Sequence, residues 1–111
     1  MANGASYPFG HADLQQPAYA ATLAVTITDR LTILDPGILT GAMTINLTFG
    51  TGMVIGSMLF VELTATATEV TTFGTGFTAP TVTGVAGKTK CQAFIYDGTT
   101  FKPLAVAYQI D

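Results

Sequence analysis

Charge is what this chain has least of. Eleven of its 111 residues are Asp, Glu, Lys or Arg, whereas a typical globular domain carries about a quarter. The four cations, Arg30, Lys88, Lys90 and Lys102, are scattered, and the net charge is −3. No phosphate-neutralising stripe and no basic membrane-binding segment can be assembled from them, which excludes nucleic acid and membrane surfaces as partners. Tryptophan is absent and cysteine occurs once, as Cys91. An internal disulfide and a cysteine-rich zinc site are thereby excluded. Cys91 lies in the expected strand 88–96 and reads as a small buried hydrophobe.

Long apolar runs are missing too. The longest, Met58–Leu63, is interrupted by Glu62 and is far short of the roughly twenty residues of a membrane-spanning helix. Residues 1–20 contain neither Lys nor Arg and no continuous apolar core, so no secretory signal is expected and synthesis in a cytoplasm is. Catalytic residue types are equally scarce. There is one histidine, His11, and two serines, Ser6 and Ser57, too few to assemble a nucleophilic triad without bringing the N-terminal His11 to the body. The carboxylates show no metal-ligand spacing, and the Gly-rich stretch 50–56 lacks the Lys-Ser/Thr of a phosphate loop. No enzyme, cofactor or metal site is expected.

Threonine and apolar residues fill the gap. Hydrophobic residues make up 49% of the chain, mean hydropathy is +0.48, and there are twenty threonines. Threonine suits pleated strands and hydrogen-bonds without charge. A dispersed soluble domain keeps charged residues on its surface, so this composition predicts a body whose surface is largely covered by other protein.

The chain divides into two zones. Residues 1–20, with Pro8, Pro17 and no periodicity, predict an extended arm. Its aromatic-proline groups, Tyr7, Pro8, Phe9 and Pro17 with Tyr19, are the candidate partner-binding residues, able to add a strand to a sheet edge. Residues 21–111 alternate with period two throughout. Leu23, Val25 and Ile27 share one face. The parity carries on through Leu31 and Ile33, so that 21–28 and 30–34 read as one long strand bent near Asp29, closed by the Asp35-Pro36-Gly37 turn. Met43, Ile45, Leu47 and Phe49 point inward. The stretch 58–65 is apolar on both faces, as a central or interface-covered strand is, which marks Met58, Phe60 and Glu62 as an oligomer or partner face. Further strands are expected over 69–73, 81–85, 88–96 and 101–110. The fold class is all-β: a single-domain sandwich or small barrel, jelly-roll-like, of about eight strands. The motif Phe-Gly-Thr-Gly occurs at 49–52 and again at 73–76, either as a duplicated unit or as reuse of one strand-ending glycine turn.

The segment Phe94-Ile95-Tyr96-Asp97-Gly98-Thr99-Thr100-Phe101-Lys102-Pro103-Leu104-Ala105 predicts a hairpin, with Asp97-Gly98 at the turn and Tyr96 facing Phe101 across its base. It resembles a hairpin of tailed-bacteriophage virion proteins, and together with Leu104–Ala107 it is similar to a segment of lambda-type head-decoration proteins. That resemblance covers about fifteen residues and the order of arm then β body. It implies a homotrimer on the outer capsid, bound to the major capsid protein through its arm, with the virion as its location and no catalysis. Two other readings stand beside it. One is a tail, baseplate or fibre component. The other is a carbohydrate-binding, adhesin-like sandwich using Phe77, Tyr96, Phe101 and Tyr108 as stacking faces.

Overall fold

The computed structural model describes residues 12–111. It is all-β, with ten strands in two sheets. Strands β1 (Asp13–Gln15), β3 (Leu31–Leu34), β5 (Met58–Thr64), β8 (Thr89–Tyr96) and β10 (Tyr108–Gln109) form the larger sheet in that order, and β9 (Phe101–Pro103) also pairs with β8. Strands β2 (Thr22–Ile27), β4 (Met43–Phe49), β6 (Val70–Phe73) and β7 (Val82–Thr83) form the smaller one. The result is an open sandwich and not a closed barrel.

The first six strands alternate between the sheets, and each is parallel to the strand two before it. The chain therefore winds as three stacked coils. Parallel neighbours need a long crossover, commonly a helix; here the crossover is a strand of the opposite sheet. This differs from the antiparallel jelly-roll expectation. The last four strands are antiparallel to their neighbours and cap the coil end. Stacked positions such as Asp13, Thr32 and Leu59 are unevenly spaced along the chain, so the coil has no sequence period.

Alternation puts the core between the sheets. Leu23, Val25 and Ile27 of β2 and Met43, Ile45 and Leu47 of β4 meet Leu59, Val61 and Leu63 of β5. At the capped end Phe73, Phe77, Phe94 and Phe101 pack edge-on or tilted, with neighbouring ring centroids 4.9–6.4 Å apart, spacings at which aromatic pairs gain beyond simple burial. Phe49, expected to point inward, is half-buried and lies against this cluster.

One inward face was misassigned. The turn at Asp29 is a sheet-to-sheet corner, and the parity slips there. In β3 it is Thr32 and Leu34 that are buried, while Leu31 and Ile33 lie on the outer face. Segments 21–28 and 30–34 are thus two strands in different sheets. The N-terminal zone differs as well. Residues 13–15 pair in register with β3, the Pro17 carbonyl accepts the Gly37 N–H at 2.9 Å, and Gln15 Nε2 donates to the Thr26 carbonyl of β2 at 2.9 Å. The second half of the expected arm is therefore the first coil of the body. Its short strand carries too little alternation to be read.

The expected strand 101–110 is interrupted beyond Leu104, whose N–H still donates to the Ala93 carbonyl at 3.0 Å, and pairing with β8 resumes only at Tyr108. The extra residues bulge away and are held by Gln92, whose Nε2 donates to the Ala105 carbonyl at 2.8 Å. The two Phe-Gly-Thr-Gly segments end successive strands of the smaller sheet, but out of register: Phe73 stacks on Ile45, four residues before Phe49. Gly50 N–H donates to the Ile27 carbonyl and Gly74 N–H to that of Ile45; Phe49 pairs with Ile27, and Phe73 with Ile45. Each glycine ends a strand where it leaves the coil beneath.

Candidate functional site

The two outer faces of the sandwich have opposite chemistry. On the smaller sheet, parallel registration stacks Thr22, Thr44 and Thr72 in one row and Thr26 with Thr48 in another, with Ala24 and Asn46 between. Hydroxyl and amide groups dominate that face. On the larger sheet the rows run Leu31, Met58, Ile95; then Leu14, Ile33, Phe60, Ala93; then Glu62, Cys91, Tyr108. With Lys102 of β9, which pairs with Ile95 and extends the first row, eleven side chains from six strands form this surface, and Glu62 and Lys102 are the charged ones among them.

Strand pairing builds this face and alternation fills it. β5 lies centrally between β3 and β8, so Met58, Phe60 and Glu62 project outward while Leu59, Val61 and Leu63 enter the core. Leu14 is 55% exposed and Tyr108 59% exposed; the residues between them are shielded mostly by one another. Eleven positions, at ~4.8 Å between strands and ~6.8 Å between rows, cover about 360 Å². That is within the ordinary range of apolar patches borne by monomeric proteins. The sheet is mixed, parallel over β1, β3 and β5 and antiparallel from β5 to β8 and beyond, and nothing among the described residues covers its outer face.

Polar groups rim the patch at both ends. Beyond the third row the Thr64 and Thr89 hydroxyls share a hydrogen bond of 2.8 Å. At the other end stand Arg30, just before β3, and the Lys102–Asp97 ion pair, which is the only salt bridge among the described residues. Burial, and secondarily the Glu62 carboxylate, hold the Cys91 thiol above its ordinary value, while the Tyr108 hydroxyl opposes this. Cys91 is half-buried on the outer face, not within the core, and the raised value favours its protonated form.

The β8–β9 hairpin closes one corner of this sheet. Gly98 has φ +101°, and Asp97 Oδ1 accepts the N–H groups of Thr99 and Thr100, both at 2.9 Å. Lys102 pairs with the other carboxylate oxygen. The Lys102 ammonium first, then the two N–H groups, hold the Asp97 carboxyl well below the usual range. Tyr96 and Phe101 pair across the base with ring centroids 5.4 Å apart.

Of the expected partner-binding residues, Tyr7, Pro8 and Phe9 lie outside the described residues. Pro17 and Tyr19 are in the body: Tyr19 is half-buried, and its hydroxyl donates to the Ala42 carbonyl at 2.8 Å. Sequence reasoning found Met58, Phe60 and Glu62 but missed Leu14, Leu31, Ile33, Ala93, Ile95 and the outward place of Cys91. The apolar residues on both faces of 31–34 were the available signal. Of the four residues of the sugar-stacking reading, Phe77 and Phe101 are buried, Tyr96 packs against Phe49 and Phe101, and Tyr108 is exposed.

A cavity of about 410 Å³ opens where the edges of the two sheets approach each other, lined by Val82, Lys90, Gln92, Pro103, Val106 and Ala107 among others. Its polar groups serve the backbone: Lys90 Nζ donates to the Thr83 carbonyl at 2.8 Å, and Gln92 holds the bulge. No cluster of three His, Cys, Asp or Glu side chains occurs among the described residues. Comparison with protein-family models, curated proteins and solved structures finds no match to this chain.

Proposed function

We propose that this chain is a non-catalytic structural subunit of a bacteriophage particle, a head-decoration or cement protein that works by covering and joining surface. One observation carries the reading: the apolar outer face of the larger sheet stands opposite a threonine-lined face on the smaller one. A body with so few charges stays dispersed poorly by itself, and this face carries a contiguous part of its apolar surface. The Tyr96–Phe101 hairpin, similar to those of phage virion proteins, adds to the reading. Residues 1–11 lead into β1, the edge strand of the same sheet, and are proposed as the contact with the major capsid protein.

The mechanism requires no reacting group. Burying apolar area contributes about 25 cal/mol per Å² before association costs are subtracted, so contacts of this size repeated over a shell stabilise it appreciably. Sedimentation of native particles with counting of copies tests the proposal. Many copies per particle are expected. A few copies per particle would move the chain to the tail or baseplate, and its presence only as a free protein would overturn the virion reading.

A further inference from the structure

We propose that the cavity between the sheet edges is a binding site for a small apolar carboxylate, a molecule that carries an N–H or O–H donor beside its carboxyl group. The site stands independently of the virion reading.

Strand parity places two polar side chains where the core would otherwise continue. In β8, Lys90, Gln92 and Phe94 pair with Leu63, Val61 and Leu59 of β5, so all three stand on the core side of the larger sheet. The core-side positions of β2, β4 and β5 are apolar without exception. Lys90 and Gln92 instead face the gap beside β7, the edge strand of the smaller sheet, and each holds one wall of it. Lys90 Nζ donates to the Thr83 carbonyl of β7 at 2.8 Å, and Gln92 Nε2 to the Ala105 carbonyl of the bulge at 2.8 Å. The cavity is braced from both sides.

What those bonds leave over defines the ligand. Gln92 is 4% exposed. Its amide N–H groups are spent on the Ala93 and Ala105 carbonyls, which fixes that end of the amide as the nitrogen. Its Oε1 accepts no hydrogen bond among the described residues and is not sealed in as the Thr32 hydroxyl is; it opens on the cavity that Gln92 lines. Lys90 keeps ammonium N–H donors to spare and has no ion pair among the described residues. The acidic groups near it along the strands are engaged or turned away. Glu62 lies on the outer face, Asp111 accepts the Thr89 N–H, and Glu69 accepts those of Thr66 and Ala67. A free cation and a free acceptor, on one face and ~6.8 Å apart along the strand, suit an anion with a donor beside it.

The remaining walls are apolar, with Val82, Pro103, Leu104, Val106 and Ala107 among them. Apolar walls with a few placed polar groups are the make-up of ligand pockets. At about 410 Å³ the volume is well above the roughly 150 Å³ that takes one benzene ring, so a ring or a branched aliphatic body fits together with its carboxyl group.

Titration of the purified full-length chain with N-acetyl-phenylalanine and N-acetyl-leucine, followed by amide chemical shifts, tests this. Saturable shifts with a Kd of about 1 mM or below are expected, confined to residues 80–83, 90–92 and 104–107. N-acetyl-phenylalaninamide, which lacks the charge, should bind at least about tenfold more weakly, and 3-phenylpropionate, which lacks the N–H, about threefold more weakly. Lys90→Met, checked for the parent's far-UV circular dichroism, should lose the preference for the acid over the amide.

Absence of saturable shifts at these residues with both acids overturns the proposal, as does equal binding of acid and amide, or a folded Lys90→Met that keeps the preference. Equal binding of 3-phenylpropionate and the N-acetyl acid overturns the part assigned to Gln92. The shift map needs no variant, so it decides the matter even where Lys90→Met fails to fold. A chain found in many copies on particles but blind to these acids sinks the proposal alone, and one that binds them but is absent from particles sinks the virion reading alone.

Discussion

Ile33 and Phe60 stand side by side on the outer face of the larger sheet, paired in parallel register, while Leu34 and Val61, one residue further along each strand, are fully buried behind them. Neighbours in sequence thus have opposite duties. Leu34→Ala should destabilise the fold by about 2–5 kcal/mol, since it empties core volume. Ile33→Ser should change the stability of the isolated protomer by less than about 1 kcal/mol. Thermal unfolding of both variants at a concentration too low for association checks the contrast.

Thr32 is buried in the core, and its hydroxyl finds no hydrogen-bond partner among the described residues. An unsatisfied buried hydroxyl costs about 1–3 kcal/mol, and valine has nearly the same shape without it. Thr32→Val should therefore raise the midpoint of chemical unfolding with no change in its slope. A lowered midpoint would show that the hydroxyl is satisfied.

Gly76 has φ +91°, and a Cβ there would lie 2.8 Å from the Leu47 side chain and 3.1 Å from the Phe49 ring. Gly87 has φ +73° with open space around it. Gly87→Ala should cost about 1 kcal/mol from backbone conformation alone. Gly76→Ala adds the clash and should cost about 2–4 kcal/mol. Equal losses would remove the steric part of the argument.

Asp97 supplies a pH dependence. Its folded carboxyl is held below the ordinary value, chiefly by Lys102 and then by the Thr100 and Thr99 N–H groups. The stabilisation is therefore fully present above an unfolded value of about 3.9 and is lost as pH falls below it toward the folded value. Asp97→Asn should be less stable than the parent by a constant amount near neutrality, and the gap should close below about pH 4. A gap that keeps its full neutral-pH size at pH 2 would mean that the carboxylate charge is not its source.

Deletion of residues 2–11 should leave a body with the parent's thermal transition, because β1 and the Tyr19 contact are retained. Under the proposed function the same deletion abolishes binding to the particle. Retained binding would remove the arm from the mechanism. Deletion through residue 20 should instead destabilise the body, since it removes the first strand of the first coil.

By itself the sequence determined the β class, the strand positions within β4, β5 and β8, and the inward faces of β2 and, apart from the half-buried Phe49, of β4. Period-two alternation survives wherever one face of a strand is buried. It also marked Met58, Phe60 and Glu62 as one surface, because β5 is apolar on both sides. The tertiary structure decided what lies beside what. Parallel coils bring together residues far apart in the chain, and their unequal spacing leaves no repeat to read. At Asp29 the chain crosses between sheets, where side-chain parity need not carry over, so Leu31 and Ile33 went to the wrong face on paper. The apolar face exists only because Leu14, Ile33, Phe60 and Ala93 share a register. Register is set by packing and by loop geometry, and neither is a property of any one segment.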